Sequence, residues 1–150
     1  MPKYKNANKD IIGAWKLVSY TVKTDSGEEI DIWGKETTGM IIYLKNGNMS
    51  VYLSNKNRPK FKGNDFLAGS LEEIRNAFEG CTAYIGRYEY RPDEQKVLHH
   101  ITESLFPNWS GITQTRYVSL GRRKLSIKTP PIDVNRRECV MELHWERIDN

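Results

Sequence analysis

Apolar residues recur with a period of two over most of the 150-residue chain and with a helical period in only one segment. Alternation of this kind marks strands that bury one face. Strands are predicted near 14–24, 28–33, 39–45, 49–54, 81–91, 96–105, 112–120, 124–129 and 138–148. Asn46-Gly47, between Met40 to Leu44 and Met49 to Leu53, fits a two-residue type I′ hairpin turn. About that turn Leu44 faces Met49, Ile42 faces Val51 and Met40 faces Leu53, which makes one apolar wall. Ser26-Gly27, Asp93-Glu94 and Gly121 to Arg123 mark further reversals. The exception is a short amphipathic helix over 70–79: Ser70 and Glu73 form a capping box, Leu71, Ile74 and Phe78 share a face, and Gly80 supplies a left-handed stop. About nine hairpin-linked strands laid flat would expose two edges, whereas closing them removes both. The expected fold is all-β, a single domain over 1–150 built as an up-and-down antiparallel barrel of 8–10 strands. A β-sandwich needs longer crossovers than most of these connections supply.

The registers also assign an inside. Pairing about Asp93-Glu94 sets Tyr88 against His99, Gly86 against Ile101 and Tyr84 against Glu103, all on one face. Carried into the next strand, Gln114 neighbours Glu103, Arg116 neighbours Ile101 and Val118 neighbours His99. In the last strand Cys139, Met141, Leu143, Trp145 and Arg147 alternate with polar residues and read as inward. An apolar wall that includes Met141 would therefore face a polar wall of Tyr84, Tyr88, His99, Glu103, Gln114 and Arg116. That is the make-up of a small-molecule pocket. The same residues also read as a core polar network with Glu103 and Arg116 as a buried pair.

Composition narrows the classes. Lys and Arg number 23 against 19 acidic residues, a net charge of +4 that is scattered along the chain. The basic loop from Lys56 to Lys62 is too short to argue for nucleic acid, and no such partner is expected. No apolar run approaches the ~18 residues of a helical membrane span. Met1 leads into polar Lys3, Lys5 and Lys9 with no apolar stretch, and Cys81 and Cys139 have no ligand-like spacing, so a reducing, cytoplasmic setting is expected. His99 and His100 are adjacent on a strand and point to opposite faces, and His144 points outward, so no metal site is expected. No phosphate-binding or dinucleotide motif occurs, and no cofactor is expected. Nothing in the pattern sets an oligomeric state.

Gly13-Ala14-Trp15 resembles the G-x-W signature of lipocalins and other calycins. Leu53 to Gly69, Tyr84-Ile85-Gly86-Arg87-Tyr88, and His99 through Pro107-Asn108-Trp109 with the following Gly111 are similar to the bacterial and fungal lipocalin-like domain family, over Ile11 to Arg147. The resemblance implies a barrel with a ligand cavity, and a latch in which Trp15 stacks on Arg147 at the closed end. The expected function is binding of one small, largely apolar molecule with a carbonyl, phenol or carboxylate head. Tyr84, Tyr88, His99, Glu103, Gln114, Arg116, Trp109 and Met141 are the candidate contacts. The alternative is a cofactor-independent cyclase, isomerase or dehydratase of a secondary-metabolite-like substrate, with His99 and Glu103 as acid and base.

Overall fold

In the computed structural model, which describes residues 11–148, the first long strand pairs with the last and closes the sheet. The strands are β1 (Gly13–Thr24), β2 (Glu29–Ile30), β3 (Thr37–Tyr43), β4 (Asn48–Asn55), β5 (Cys81–Arg91), β6 (Lys96–Ser104), β7 (Thr113–Leu120), β8 (Lys124–Lys128), β9 (Ile132–Val134) and β10 (Arg137–Arg147). Around the barrel the order is β1, β3, β4, β5, β6, β7, β8, β10, with β10 bonded back to β1. Each of those pairs is antiparallel; β2 and β9 are short flaps on β1 and β10. The leader reading at Met1 to Lys9 lies outside the described residues.

The β3–β4 turn departs from the expected two-residue form. The Leu44 N–H donates to the Asn48 carbonyl at 2.9 Å and the Gly47 N–H to the Leu44 carbonyl at 3.1 Å, so three residues close the loop, with Gly47 left-handed at φ 92°. One residue thereby drops out of the alternation. Tyr43 now pairs with Met49 and Ile41 with Val51. Ile41 and Tyr43 are buried, while Met40 and Leu44, expected inside, are exposed.

A second irregularity corrects Glu103. Ile85 pairs with Glu103 but Gly86 pairs with Ile101, leaving Thr102 as an extra residue in β6. The bulge turns Glu103 to the exposed outer face beside Ile85 and brings Ser104 opposite Tyr84. It needs Gly86, because a Cβ there would collide with the His100 carbonyl. The β6–β7 pairing is also displaced: His99 meets Gln114 and Val97 meets Arg116. The displacement is an even number of residues, so Gln114 and Arg116 keep the inward face assigned to them.

The helix α1 (Leu71–Glu79) starts as expected: Ser70 Oγ accepts from the Glu73 N–H and Glu73 Oε1 from the Ser70 N–H. Its apolar face does not pack on the barrel, since Leu71, Ile74 and Phe78 are all exposed. Gly80 is not left-handed, at φ −89°. Its missing Cβ instead gives room to the Arg58 side chain, which would otherwise stand 2.7 Å away.

At the end where β1 begins, Trp15 is fully buried and its indole N–H donates to the Ile11 carbonyl at 3.0 Å. The Arg147 guanidinium lies 4.1 Å from the Trp15 ring centroid and donates to the Ile12 and Arg122 carbonyls. These contacts tie the two ends of the barrel wall together.

Candidate functional site

A cavity of about 330 Å³ occupies the other half of the barrel. Ile41, Val51, Leu53, Ile127, Met141 and Leu143 give it apolar walls from β3, β4, β8 and β10. It reaches the barrel end that carries the C-terminus of α1, the Pro107–Trp109 turn and the β9–β10 hairpin. There the Trp33 N–H of the indole donates to the Glu79 carbonyl at 3.0 Å, tying the 31–36 loop to the helix end. Trp109 meets Tyr84 and Phe106 edge-on, with centroids 6.3 and 5.3 Å apart.

The polar wall is built around His99. Tyr43 Oη lies 2.7 Å from His99 Nε2 and Tyr84 Oη lies 2.6 Å from Nδ1. Burial, together with the charge of Arg116, holds the His99 pKa well below its ordinary value, so the ring is neutral. A neutral imidazole has one donor and one acceptor nitrogen, so one phenol donates to it and the other accepts from it. Burial pushes both phenols up, Tyr43 strongly; at Tyr84 the adjacent Arg116 opposes that rise by its charge and a hydrogen bond.

Arg116 is 8% exposed and lines the cavity. One Nη donates to the Thr115 carbonyl and the other to Gln114 Oε1. Trp145 is 3% exposed and also lines the cavity, and its indole nitrogen is the buried side-chain polar atom that has no partner among the described residues. A buried N–H of this kind is rare and calls for an acceptor.

Of the residues singled out in the sequence, Tyr84, His99, Trp109, Arg116 and Met141 line the cavity. Gln114 stands behind Arg116 as its acceptor. Tyr88 is buried but lies outside the lining; its hydroxyl donates to the Leu44 carbonyl at 2.8 Å, and its ring meets Tyr43 at 4.8 Å. Glu103 is outside altogether, so the expected Glu103–Arg116 pair and the His99–Glu103 acid–base pair are not assembled. Sequence reasoning missed Tyr43, because the extra turn residue reverses its strand, and missed the lining by Trp33 and Ile132. Within the basic loop, Arg58 donates to the Ala77 carbonyl and the Tyr52 hydroxyl and so anchors the helix.

An eight-stranded antiparallel barrel closed by a tryptophan–arginine contact, with an apolar cavity and a few convergent polar groups, defines a small-molecule-binding barrel. Residues 12–148 match the lipocalin-like domain family, and the chain belongs to it. It is similar to the "4'-hydroxy-3'-methoxypropiophenone carrier protein ppsC" of Aspergillus oryzae, with 31% identity over 108 residues, covering 67% of this chain and 96% of that protein. No solved structure matches. Fold, family and relative together support small-molecule binding. Among the described residues no helix is long and apolar enough to cross a membrane.

Proposed function

We propose that the chain carries one small, largely apolar molecule with an oxygen-bearing head, and that single-ring aromatic ketones are the ligand class. The observation that carries this reading is the donor-rich wall of the cavity. Arg116 and Tyr84 border space otherwise bounded by aliphatic and aromatic side chains, the Trp145 ring among them. A ligand acceptor there would take a charge-assisted hydrogen bond from Arg116. At about 330 Å³ the cavity lies at the small end of ligand pockets, which suits one ring with short substituents better than a long acyl chain or a fused ring system. The relative's named cargo is such a ketone.

Carriage is favoured over turnover by two placements. Glu103, the candidate base, stands on the outer face, and both nitrogens of His99 already face tyrosine hydroxyls. Neither group is free to move a substrate proton. Native mass spectrometry of freshly purified protein, followed by calorimetric titration with 4'-hydroxy-3'-methoxypropiophenone, tests the proposal. Saturable one-to-one binding and recovery of the ketone unchanged are expected. Failure of this ketone and its ring-substituted analogues to bind would refute the ligand class, and conversion to a new product would refute carriage.

A further inference from the structure

We propose that the cavity binds its occupant as an oxyanion, an ionised phenol or a carboxylate, with Arg116 as the counter-charge. This deepens the carrier reading and rests on it. A buried guanidinium is costly unless something negative answers it. Among the described residues the acceptors of Arg116 are the carbonyl of Thr115, the side-chain amide oxygen of Gln114 and the Tyr84 hydroxyl, all neutral. The titratable groups around it are Tyr84 from β5, His99 from β6 and, beyond the imidazole, Tyr43 from β3. None of these is an acid of carboxylate strength. Burial keeps the two phenols protonated and the imidazole neutral, so among the described residues the wall has one fixed positive charge and no negative one.

The carboxylates that do line the cavity, Glu79 at the end of α1 and Asp133 on β9, are exposed at its mouth. Glu79 is paired with Arg75 at 3.1 Å. His100 lies on the outer side of β6 with Thr113 and Glu89. The charge missing beside Arg116 is therefore left for the ligand to supply. The Tyr84 hydroxyl, hydrogen-bonded to His99 Nδ1, and the Trp145 ring lie along the same wall. Charge-assisted hydrogen bonds to an anionic oxygen are roughly twice as strong as neutral ones, so the wall selects the ionised form. When the ligand is a phenol bound below its own pKa, its O–H bond breaks heterolytically, the electron pair stays on oxygen, and the proton goes to the solvent.

Three probes of similar size separate the possibilities: 4'-hydroxy-3'-methoxypropiophenone, its non-ionisable methyl ether 3',4'-dimethoxypropiophenone, and 3,4-dimethoxybenzoate. Affinity is measured by calorimetry between roughly pH 6 and 9, a range in which a fully anionic, a neutral and a titrating probe differ. The phenol's ionisation is followed by its phenolate absorption band. The expected result is a phenol affinity that rises about tenfold per pH unit below the free ligand's pKa, as one-proton linkage requires. The phenolate band should appear in the complex at a pH where the free phenol is protonated. The ether should bind at least about tenfold more weakly than the phenolate, with no pH dependence. If the benzoate binds more tightly than the phenolate, the natural head is a carboxylate; the reverse order makes it a phenol. Arg116→Met should abolish the band and the pH dependence, and Arg116→Lys should retain both in part. Equal affinity for phenol and ether, or a phenolate band that survives Arg116→Met, would overturn the proposal while leaving carriage standing. Should Arg116→Met fail to fold, the wild-type spectra and Arg116→Lys decide alone. No binding of any probe would overturn carriage as well.

Discussion

Replacing Trp15 by alanine tests how the barrel is held shut. The indole is fully buried, so its loss carries the ~3–5 kcal/mol of a large-to-small core change. Two further losses push the value toward the upper end of that range. The Ile11 carbonyl loses its donor, a contribution of about 1 kcal/mol, and the Arg147 guanidinium, 4.1 Å from the ring centroid, loses a cation–π partner worth ~1–2 kcal/mol. Trp15→Phe keeps a ring under Arg147 and most of the apolar volume, and should cost only ~1–2 kcal/mol. Arg147→Met should fall between the two, since it removes donors to the Ile12 and Arg122 carbonyls but creates no large void. Urea denaturation followed by circular dichroism measures all three; the midpoint should shift with an unchanged slope. A Trp15→Ala protein within ~0.5 kcal/mol of wild type would refute the argument that this contact closes the barrel.

The buried imidazole sets an acid limit on stability. His99 has a folded pKa well below its ordinary 6.5 because of burial and the Arg116 charge. As pH falls below about 6.5 the unfolded chain gains a proton that the folded one refuses, and stability drops by up to ~1.4 kcal/mol per pH unit. His99→Gln should be less stable at pH 7.5 but should lose that part of the pH dependence, and an equal drop in urea-derived stability from pH 7.5 to pH 5 in wild type and His99→Gln would contradict the assignment. Trp145→Phe should weaken ketone binding by ~0.5–1.5 kcal/mol if its N–H meets the ligand head; unchanged calorimetric affinity would remove Trp145 from the site. Glu103→Gln should leave affinity within about twofold, because the side chain is outside the barrel. A larger loss would place it back at the ligand.

The order of strands from β3 to β8 and the inward set of β7, β8 and β10 were legible because alternation survives any even displacement, whereas the strand expected over 28–33 is only the two-residue flap β2, and β1 pairs directly with β3. Gln114 and Arg116 kept their face although their partners moved along β6. Glu103 and Tyr43 were misread for the opposite reason: a single extra residue, Thr102 in one case and the third loop residue before Asn48 in the other, reverses every side chain on one side of it. A signal for the bulge was present, since an isolated glycine inside a strand, Gly86, often marks one. The Asn46-Gly47 pair carries less information, because the glycine suits a left-handed position in either loop length. β9 gave no signal at all: its hairpin turns on Asn135 and Arg136, both at positive φ without a glycine. For α1 the periodicity was correct, but period cannot tell a face that packs on the barrel from one left in solvent, as Leu71 shows.

The chain's four tryptophans allow a direct test of the central claim, that a small aromatic ketone sits in the barrel cavity. Trp33, Trp109 and Trp145 line that space, whereas Trp15 is sealed at the far end. Titration of 15N-labelled protein with 4'-hydroxy-3'-methoxypropiophenone, read on the indole N–H resonances, should move Trp145 most as the ligand ring packs against its indole, move Trp33 and Trp109 as the mouth fills, and leave Trp15 in place. Saturation with Trp145 unmoved, or with Trp15 shifting most, would contradict the account.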